Sequence, residues 1–241
     1  MKKRGLIVFL VLAMMGSALA CSGIGGATKG SGRVVTSEID VSGFSGVTFS
    51  GFGNLYIEIG STEGLRIEVD DNLVSYFEAE VDSKMLTIRV KEGANLQPSD
   101  DVNFYLTAEE LDTIVLSGAG KVETAALRAE QFSIKLSGAG EMTMAGLTAD
   151  SLEVDLSGAG DLEIESGYVG EQTVDLSGAG NYKAEGLQSG SATLDVTGAG
   201  SATVWAVTEL AVTGSGAGKV EYVGKPQLST EGSVSVKPLS D

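Results

Sequence analysis

The chain has 241 residues, of which 42% are hydrophobic and 34 are glycine, and this apolar content is too high for a disordered protein. Its formal net charge of −17 argues against binding to nucleic acid or to an anionic membrane surface. The sequence contains no histidine and a single cysteine, which excludes serine–histidine and cysteine–histidine catalysis and the usual zinc sites.

Residues 1–20 have the features of an export signal. Three basic residues stand at positions 2–4, an unbroken apolar run covers residues 6–15, and small residues precede Cys21. The apolar run is too short to span a membrane as a mature helix. We therefore expect the protein to be exported.

Cys21 follows Ala-Leu-Ala, which resembles a bacterial lipobox, although Ala18 stands where leucine is more common. Lipid attachment at Cys21 would explain why the lone cysteine sits at the processed N-terminus. The alternative is cleavage by ordinary signal peptidase, which would leave Cys21 as a free thiol in an oxidising compartment. The first interpretation predicts a membrane-anchored lipoprotein on the outer membrane or cell surface, facing the periplasm or the exterior.

Glycine, serine and alanine dominate the next stretch, and residues 21–33 are interpreted as a flexible tether after the lipidated cysteine. Alternating apolar residues begin at Val34, and Phe49-Ser-Gly-Phe-Gly53 is a divergent copy of a motif that recurs later. Residues 34–112 are therefore expected to form irregular, longer rungs of a repeat structure.

The tetrapeptide Ser-Gly-Ala-Gly begins at residues 117, 137, 157 and 177, returns as Thr-Gly-Ala-Gly at 197, and recurs at 215. The first four intervals are 20 residues and the last is 18. A period near 20 with a fixed turn motif is typical of stacked rungs, and the apolar residues between the turns alternate as in half-buried strands.

The sequence thus predicts an all-β, single-stranded β-solenoid with rungs of about 20 residues, in one domain over residues 34–241. Regular rungs are expected over residues 113–218, and an irregular terminal cap rung over residues 219–241. Like residues should then stack in columns, such as Ile134, Val154, Val174 and Leu194.

The glycines of the motif are expected to form the corners of the rungs, because glycine adopts positive φ at no steric cost. Phosphate binding by such a motif would need a following helix, and a strand pattern follows here instead. The predicted corner residues are Gly118, Gly120, Gly138, Gly140, Gly158, Gly160, Gly178, Gly180, Gly198, Gly200, Gly216 and Gly218.

From residue 34 to 238 the chain resembles the bacterial domain family described as putative auto-transporter adhesin, head GIN domain. The resemblance rests on residues 40–47, 53–57 and 67–73 and on the repeated Leu-Ser-Gly-Ala-Gly. It implies an extracytoplasmic β-solenoid of the right-handed β-helix type. It implies no established reaction and no catalytic residues.

Asp155, Asp175 and Asp195 occupy one repeat position and are expected to form a row on an outer face. A calcium ion could relieve their repulsion, although Ca²⁺ prefers six or more oxygen ligands in a curved loop. The alternative is a solvated face on which the carboxylates splay apart. We expect no metal site and no other cofactor.

Trp205 is the only tryptophan and is expected to point outward, in the column of residues 125, 145, 165 and 185. It can stack on a sugar or anchor a partner. It can equally shield a sheet edge or pack under the shortened rung. The structural role is favoured, because single exposed apolar residues are common on protein surfaces.

These features favour a non-enzymatic envelope or surface lipoprotein that serves as an interaction or adhesin-like scaffold module. Its partners would be the membrane, through Cys21, and a glycan, peptidoglycan or another envelope protein. The alternatives are a carbohydrate-active β-helix enzyme that uses carboxylates, or a calcium-dependent binding module. A catalytic groove should cluster carboxylates across several rungs, whereas a binding face should show exposed aromatic residues or a broad apolar patch.

Overall fold

Apolar and polar residues alternate in each repeat, and this alternation decides which side chains form the core. Leu152 and Val154 are buried, for example, while Glu153 between them is exposed. A computed structural model describes residues 26–239, so the predicted export signal and Cys21 lie outside the described residues. Within that part of the chain, no helix has the length and apolar character needed to cross a bilayer.

Strands form nearly all of the regular structure in the described residues, together with one short 3-10 turn at Val74–Tyr76. Most strands are short, but the four at Leu147–Leu156, Gly167–Leu176, Asn181–Val196 and Ser201–Gly214 have 10–16 residues and bend around a corner. In chain order the strands are β1 (Thr28–Lys29), β2 (Val34–Ile39), β3 (Gly46–Ser50), β4 (Asn54–Ile59), β5 (Gly64–Asp70), β6 (Phe77–Asp82), β7 (Met85–Val90), β8 (Leu96–Gln97), β9 (Asn103–Ala108), β10 (Thr113–Leu116), β11 (Lys121–Thr124), β12 (Leu127–Arg128), β13 (Gln131–Leu136), β14 (Glu141–Met144), β15 (Leu147–Leu156), β16 (Asp161–Ile164), β17 (Gly167–Leu176), β18 (Asn181–Val196), β19 (Ser201–Gly214), β20 (Lys219–Val223), β21 (Gln227–Gly232) and β22 (Ser235–Pro238).

Parallel, in-register strands from successive repeats stack into three faces, which confirms the predicted all-β solenoid, of about six turns. The first face runs β7, β3, β10 and β13, then the C-terminal parts of β15, β17, β18 and β19, and ends at β21. The second face runs β9, β4, β11, β14 and β16, then the N-terminal parts of β18 and β19, then β20 and β22. The third, narrower face consists of β12 with the first residues of β15 and β17 and the middle of β18 and β19.

The core lies between the three faces and is built from columns of like side chains. Ile134, Val154, Val174 and Leu194 align directly across four neighbouring strands of the first face, as predicted, and all four are buried. Each contributes the roughly 1.5–3 kcal/mol expected for burying a large aliphatic side chain. Repetition of the same shape at each level keeps the strands in register, because a slip by one residue would turn every column outward.

The Ser-Gly-Ala-Gly segments form one edge of the solenoid, between the first and second faces. Their backbones are hydrogen-bonded from rung to rung: the Ala159 amide donates to the Gly138 carbonyl at 2.9 Å and the Ala179 amide to the Gly158 carbonyl at 2.9 Å. This edge is therefore a continuous ladder of backbone hydrogen bonds.

The reason for glycine at this edge differs from the one predicted. Of the twelve predicted corner glycines, only Gly216 has a positive φ, at 113°. At the others the close approach of the previous rung excludes a side chain: a Cβ on Gly178 would collide with the carbonyl oxygen of Gly158, and one on Gly180 with that of Gly160. Glycine is needed because backbone meets backbone here, and conformational freedom is secondary.

The spatial order of the first rungs differs from their order in the chain. Strands β3 and β4 pair on one side with β7 and β9, which come later in the sequence, and on the other side with β10 and β11. The antiparallel strands β6 on the first face and β5 and β2 on the second then close this end. Residues 34–112, for which irregular, longer rungs were predicted, thus combine parallel strands out of chain order with antiparallel strands that cap the solenoid.

The segment predicted as a flexible tether is held in place from Thr28 onward. Strand β1 pairs with β8, and the buried carboxylate of Asp70 accepts hydrogen bonds from the Gly32 amide at 2.8 Å and the Ser99 hydroxyl at 2.6 Å. The bonds from Ser99 hold the pKa of Asp70 below its ordinary value. Asp70 thus fastens both the entering chain and the loop after β8 to the capped end.

The opposite end continues in the parallel register and has no comparable cap in the described residues. Strand β21 pairs with β19 and β22 with β20, so Leu228 lies over Leu210 and Val236 over Val220. All residues of β21 are exposed. The terminal cap rung predicted for residues 219–241 thus pairs in register as far as Pro238, with every residue of β21 exposed.

Candidate functional site

Two aromatic residues lie in one outward-facing column on the third face. Thr148 aligns with Tyr168, Tyr168 with Gln188, Gln188 with Trp205, and Trp205 with Val223. We call Tyr168, Gln188 and Trp205 the aromatic column. Since neighbouring strands lie about 4.8 Å apart, the backbones of the two aromatic residues are separated by roughly 9–10 Å along the solenoid axis.

The aromatic column is open to solvent, most of all at Tyr168. This side chain is 51% exposed, and its hydroxyl reaches over the next rung, where Gly190 supplies no side chain. Trp205 is half-buried and alternates with the buried Val204 and Ala206, which directs it outward. Val207, two residues further on, is 46% exposed. The third face therefore offers a partly apolar strip in an otherwise polar surface.

A shallow groove of about 440 Å³ adjoins Tyr168. Gly170 and Gly190 are among the residues that line it, together with Thr208. Three exposed acids give the groove a negative charge: Asp150, Glu171 and Glu209.

Trp205 lies outside the column in which it was expected. The predicted alignment placed it beside Glu185, but a register shift after Ala184 brings it opposite Gln188. Residues 185–187 of β18 have no counterpart in β19, and β19 has one extra residue before Glu209. The last interval is therefore 18 residues because three residues are missing at one corner and one is added at the next. A comparison of residues at a fixed interval of 20 does not reveal these two changes.

A chain of buried hydrogen bonds anchors the backbone beneath the aromatic column. The Tyr182 hydroxyl donates to Oε1 of Gln172 at 2.9 Å, Nε2 of Gln172 donates to the Ser189 hydroxyl at 2.8 Å, and Ser189 donates to the main-chain carbonyl of Trp205 at 2.7 Å. Burial raises the pKa of Tyr182, which keeps its hydroxyl a donor. The network fixes the backbone position of Trp205 from inside the core.

The three aspartates of the predicted row do align on the first face. Asp155 lies beside Lys135 on one side and Asp175 on the other, and Asp195 follows Asp175. Asp175 and Asp195 are exposed on an open sheet face. Among residues 26–239 no group of three or more acidic or cysteine side chains is arranged so that it could hold a metal ion.

We expect Asp175→Asn to raise the free energy of unfolding at pH 7 by about 0.5 kcal/mol, the size of a like-charge cross-strand pair. Partial burial and the charges of Asp155 and Asp195 raise the pKa of Asp175 above 3.8. The folded state then binds a proton more readily than the unfolded state, so this residue lowers stability as pH rises above 3.8. Urea unfolding at several pH values and salt concentrations measures the effect.

The stabilisation by Asp175→Asn should vanish near pH 3, where the Asp175 carboxyl is protonated in the folded and the unfolded state. It should shrink at about 1 M salt, because salt screens the repulsion between the carboxylates. Asp150→Asn, outside the row, is the matched control and should give a smaller gain. Equal stabilisation by both variants at pH 7 would show that the row of aspartates exerts no specific repulsion.

A second groove, of about 680 Å³, lies at the capped end and contains aromatic residues that the sequence analysis did not single out. Tyr56 and Tyr105 stack at 5.3 Å, and the Arg66 guanidinium lies 4.2 Å from the Tyr105 ring centre. The Tyr105 hydroxyl donates to Glu68 at 3.1 Å. Both faces of the Tyr105 ring are thus occupied within the protein, which favours a structural role for this cluster.

Comparison with known proteins identifies the fold and the family. A family model described as "Putative auto-transporter adhesin, head GIN domain" matches residues 43–226. The fold is similar to that of a putative adhesin from Bacteroides fragilis NCTC 9343, with 22% identity, a TM-score of 0.83, and coverage of 88% of this chain and 100% of that one.

Two proteins from Parabacteroides distasonis ATCC 8503 also share the fold. A putative adhesin is 22% identical and a putative lipid binding protein is 24% identical. Each has a TM-score of 0.70 and a coverage of 89% of this chain and 100% of the other. No curated protein matches the sequence significantly.

Proposed function

The chain belongs to the family described as "Putative auto-transporter adhesin, head GIN domain", and on this premise we propose that it is a non-enzymatic, adhesin-like binding module of the cell envelope. The single observation that supports this most strongly is the aromatic column on the third face. Tyr168 is exposed and Trp205 is half-buried and directed outward, which gives this face the aromatic surface expected of a binding site, and the parallel sheet fixes the spacing of their backbones.

The row of aspartates on the first face gives no support to catalysis. Most enzymes that hydrolyse a glycosidic bond use two carboxyl groups on opposite sides of the bond. Asp155, Asp175 and Asp195 instead stand in single file on an open sheet face, where they cannot flank a substrate. The raised pKa of Asp175 follows from partial burial and from this row and requires no catalytic role.

Export and lipid attachment at Cys21 form the second part of the proposal. The sequence of residues 1–21 supports them, because a basic start, a short apolar run and small residues precede the lone cysteine. The high negative charge suits a protein that projects into solvent from an anionic membrane surface, because it disfavours lying flat on that surface.

Binding is tested with residues 22–241, which lack the export signal and Cys21, on glycan arrays and on purified cell-envelope fractions. We expect at least one glycan or envelope fraction to retain the protein and Tyr168→Ala to weaken that retention roughly tenfold. Tyr56→Ala, at the capped end, is the matched control and should bind as the unaltered chain does. The proposed function would be contradicted if no glycan or envelope fraction retained the protein, or if the protein released cleaved sugar products.

Anchoring is tested separately, by expressing the full chain and its Cys21→Ser variant in a bacterial host. The unaltered protein should partition with membranes and have a mass increased by lipid. The variant should be recovered in the soluble extracytoplasmic fraction, since a single substitution removes the attachment point. A correctly processed protein with an unmodified Cys21 would overturn the anchor and leave the binding proposal intact.

A further inference from the structure

We propose that the aromatic column binds one chain of an uncharged, extended, β-1,4-linked polysaccharide that lies along the solenoid axis. Alternate sugar rings would stack on Tyr168 and Trp205. This inference rests on the proposed binding function and narrows it to a class of ligand.

The spacing of the column fits such a chain. Tyr168 and Trp205 belong to β17 and β19, with one strand level between them, so about two strand spacings, roughly 9–10 Å, separate their backbones along the axis. An extended β-1,4-linked polysaccharide turns each sugar over relative to its neighbour, so equivalent ring faces recur at every second residue. That repeat is close to two strand spacings, and both aromatic residues can therefore meet the same face of one chain.

The residue between the two aromatic side chains suits the intervening sugar. Gln188 is half-buried and lies directly between Tyr168 and Trp205 in the parallel register. Its side-chain amide carries a donor and an acceptor, which can bond the hydroxyl groups of a sugar whose ring is not stacked. The column therefore presents an apolar, a polar and an apolar contact in succession, so that two alternate rings can stack and the ring between them can be hydrogen-bonded.

Rigidity favours this mode of binding. Tyrosine and tryptophan provide a large amphipathic surface with few rotatable bonds, so little conformational entropy is lost when a ligand binds. The hydrogen bond of 2.7 Å from the buried Ser189 hydroxyl fixes the carbonyl of Trp205. Strand pairing on both sides holds the backbone of Gln188. The spacing of the column is therefore set before the ligand arrives.

The surrounding charge selects an uncharged ligand. Asp150, Glu171 and Glu209 are exposed in the groove beside Tyr168, and the chain carries a formal charge of −17. A polysaccharide of uronic acids would bring like charges together and be repelled. A neutral chain meets no such repulsion.

Titration calorimetry of residues 22–241 tests the inference with β-1,4-linked hexasaccharides of glucose and of N-acetylglucosamine. We expect at least one of them to bind at least tenfold more tightly than its disaccharide, because only the longer chain reaches both aromatic residues. An α-1,6-linked glucose hexasaccharide and an oligouronate should bind at least tenfold more weakly. Tyr168→Ala should weaken binding of the hexasaccharide roughly tenfold without a change in melting temperature.

The double variant Thr148→Tyr/Tyr168→Thr is the matched control for spacing. It keeps the composition of the face but moves one aromatic ring a strand level further from Trp205. Binding should be as weak as in Tyr168→Ala, and recovery of full affinity would overturn the spacing argument. If neither hexasaccharide binds while arrays or envelope fractions retain the protein, the ligand class is wrong and the binding function stands. If nothing binds in either experiment, both proposals fail.

Discussion

Replacing Gly178 by alanine is expected to lower the free energy of unfolding by about 3 kcal/mol or more, the upper range for overpacking of a tightly packed site. The added Cβ would collide with the carbonyl oxygen of Gly158. The strands cannot separate to make room, because the Ala179 amide is bonded to that same carbonyl at 2.9 Å. The next rung is equally close, since Gly198 stands against the carbonyl of Gly178.

Chemical denaturation of the unaltered protein and of Gly178→Ala measures this loss of unfolding free energy. Gly64→Ala is the matched control, because a Cβ there meets no atom within 4 Å and the backbone φ is not positive. Its effect should stay within about 0.5 kcal/mol. Equal stabilities of the two variants would mean that the corner can widen and that close backbone approach does not explain the repeated glycine.

Replacing Tyr182 by alanine is expected to cost about 3–5 kcal/mol, the range for removing a buried aromatic ring. The side chain is fully buried in the column of Leu162 and Ala202, so the change would leave a cavity inside the solenoid. Tyr182→Phe removes only the hydroxyl and should cost about 1–3 kcal/mol, since Oε1 of Gln172 would lose its donor.

The double variant Gln172→Leu/Tyr182→Phe separates these contributions. It removes both members of the buried hydrogen bond, and Ser189 can still donate to the carbonyl of Trp205. Because no buried amide is left unsatisfied, its stability should exceed that of Tyr182→Phe alone. Thermal and urea unfolding of the set measures this, and a purely additive loss would contradict the role of the Tyr182–Gln172 bond.

The regular rungs were predictable because every level repeats one local rule. Alternation of apolar residues between glycine-rich corners placed Ile134, Val154 and Val174 in one column, and the structure confirms that alignment. The reason for the glycines was not predictable, since positive φ and close backbone approach both demand the same residue. Only the distance between neighbouring rungs distinguishes the two causes.

The capped end could not be predicted from local patterns. Strands β2, β5 and β6 alternate in the same way as the parallel strands, and the alternation does not show whether a strand pairs parallel or antiparallel. The decisive contacts are distant in the chain, such as Val35 against Val69 and Leu65 against Leu106. The carboxylate of Asp70 that closes this end likewise bonds residues far away in the sequence.

Only one of the two aromatic residues in the aromatic column could be predicted from the sequence. Trp205 was named from the sequence, but Tyr168 was not, because Gly167-Tyr-Val-Gly170 interrupts the alternation that defined the columns. The two residues are 37 positions apart, which no fixed interval of 20 residues relates. Compensating changes of length at two corners bring them into line, and these are visible only in the register of the strands.

The fastening of residues 28–33 to the capped end gives the molecule a direction. Whatever precedes Gly26 joins the solenoid at the same end as Asp70, and β21 and β22 lie at the far end. The solenoid therefore extends away from the end at which the chain enters it. With the proposed anchor at Cys21, Tyr168 and Trp205 would lie in the half of the solenoid far from the membrane.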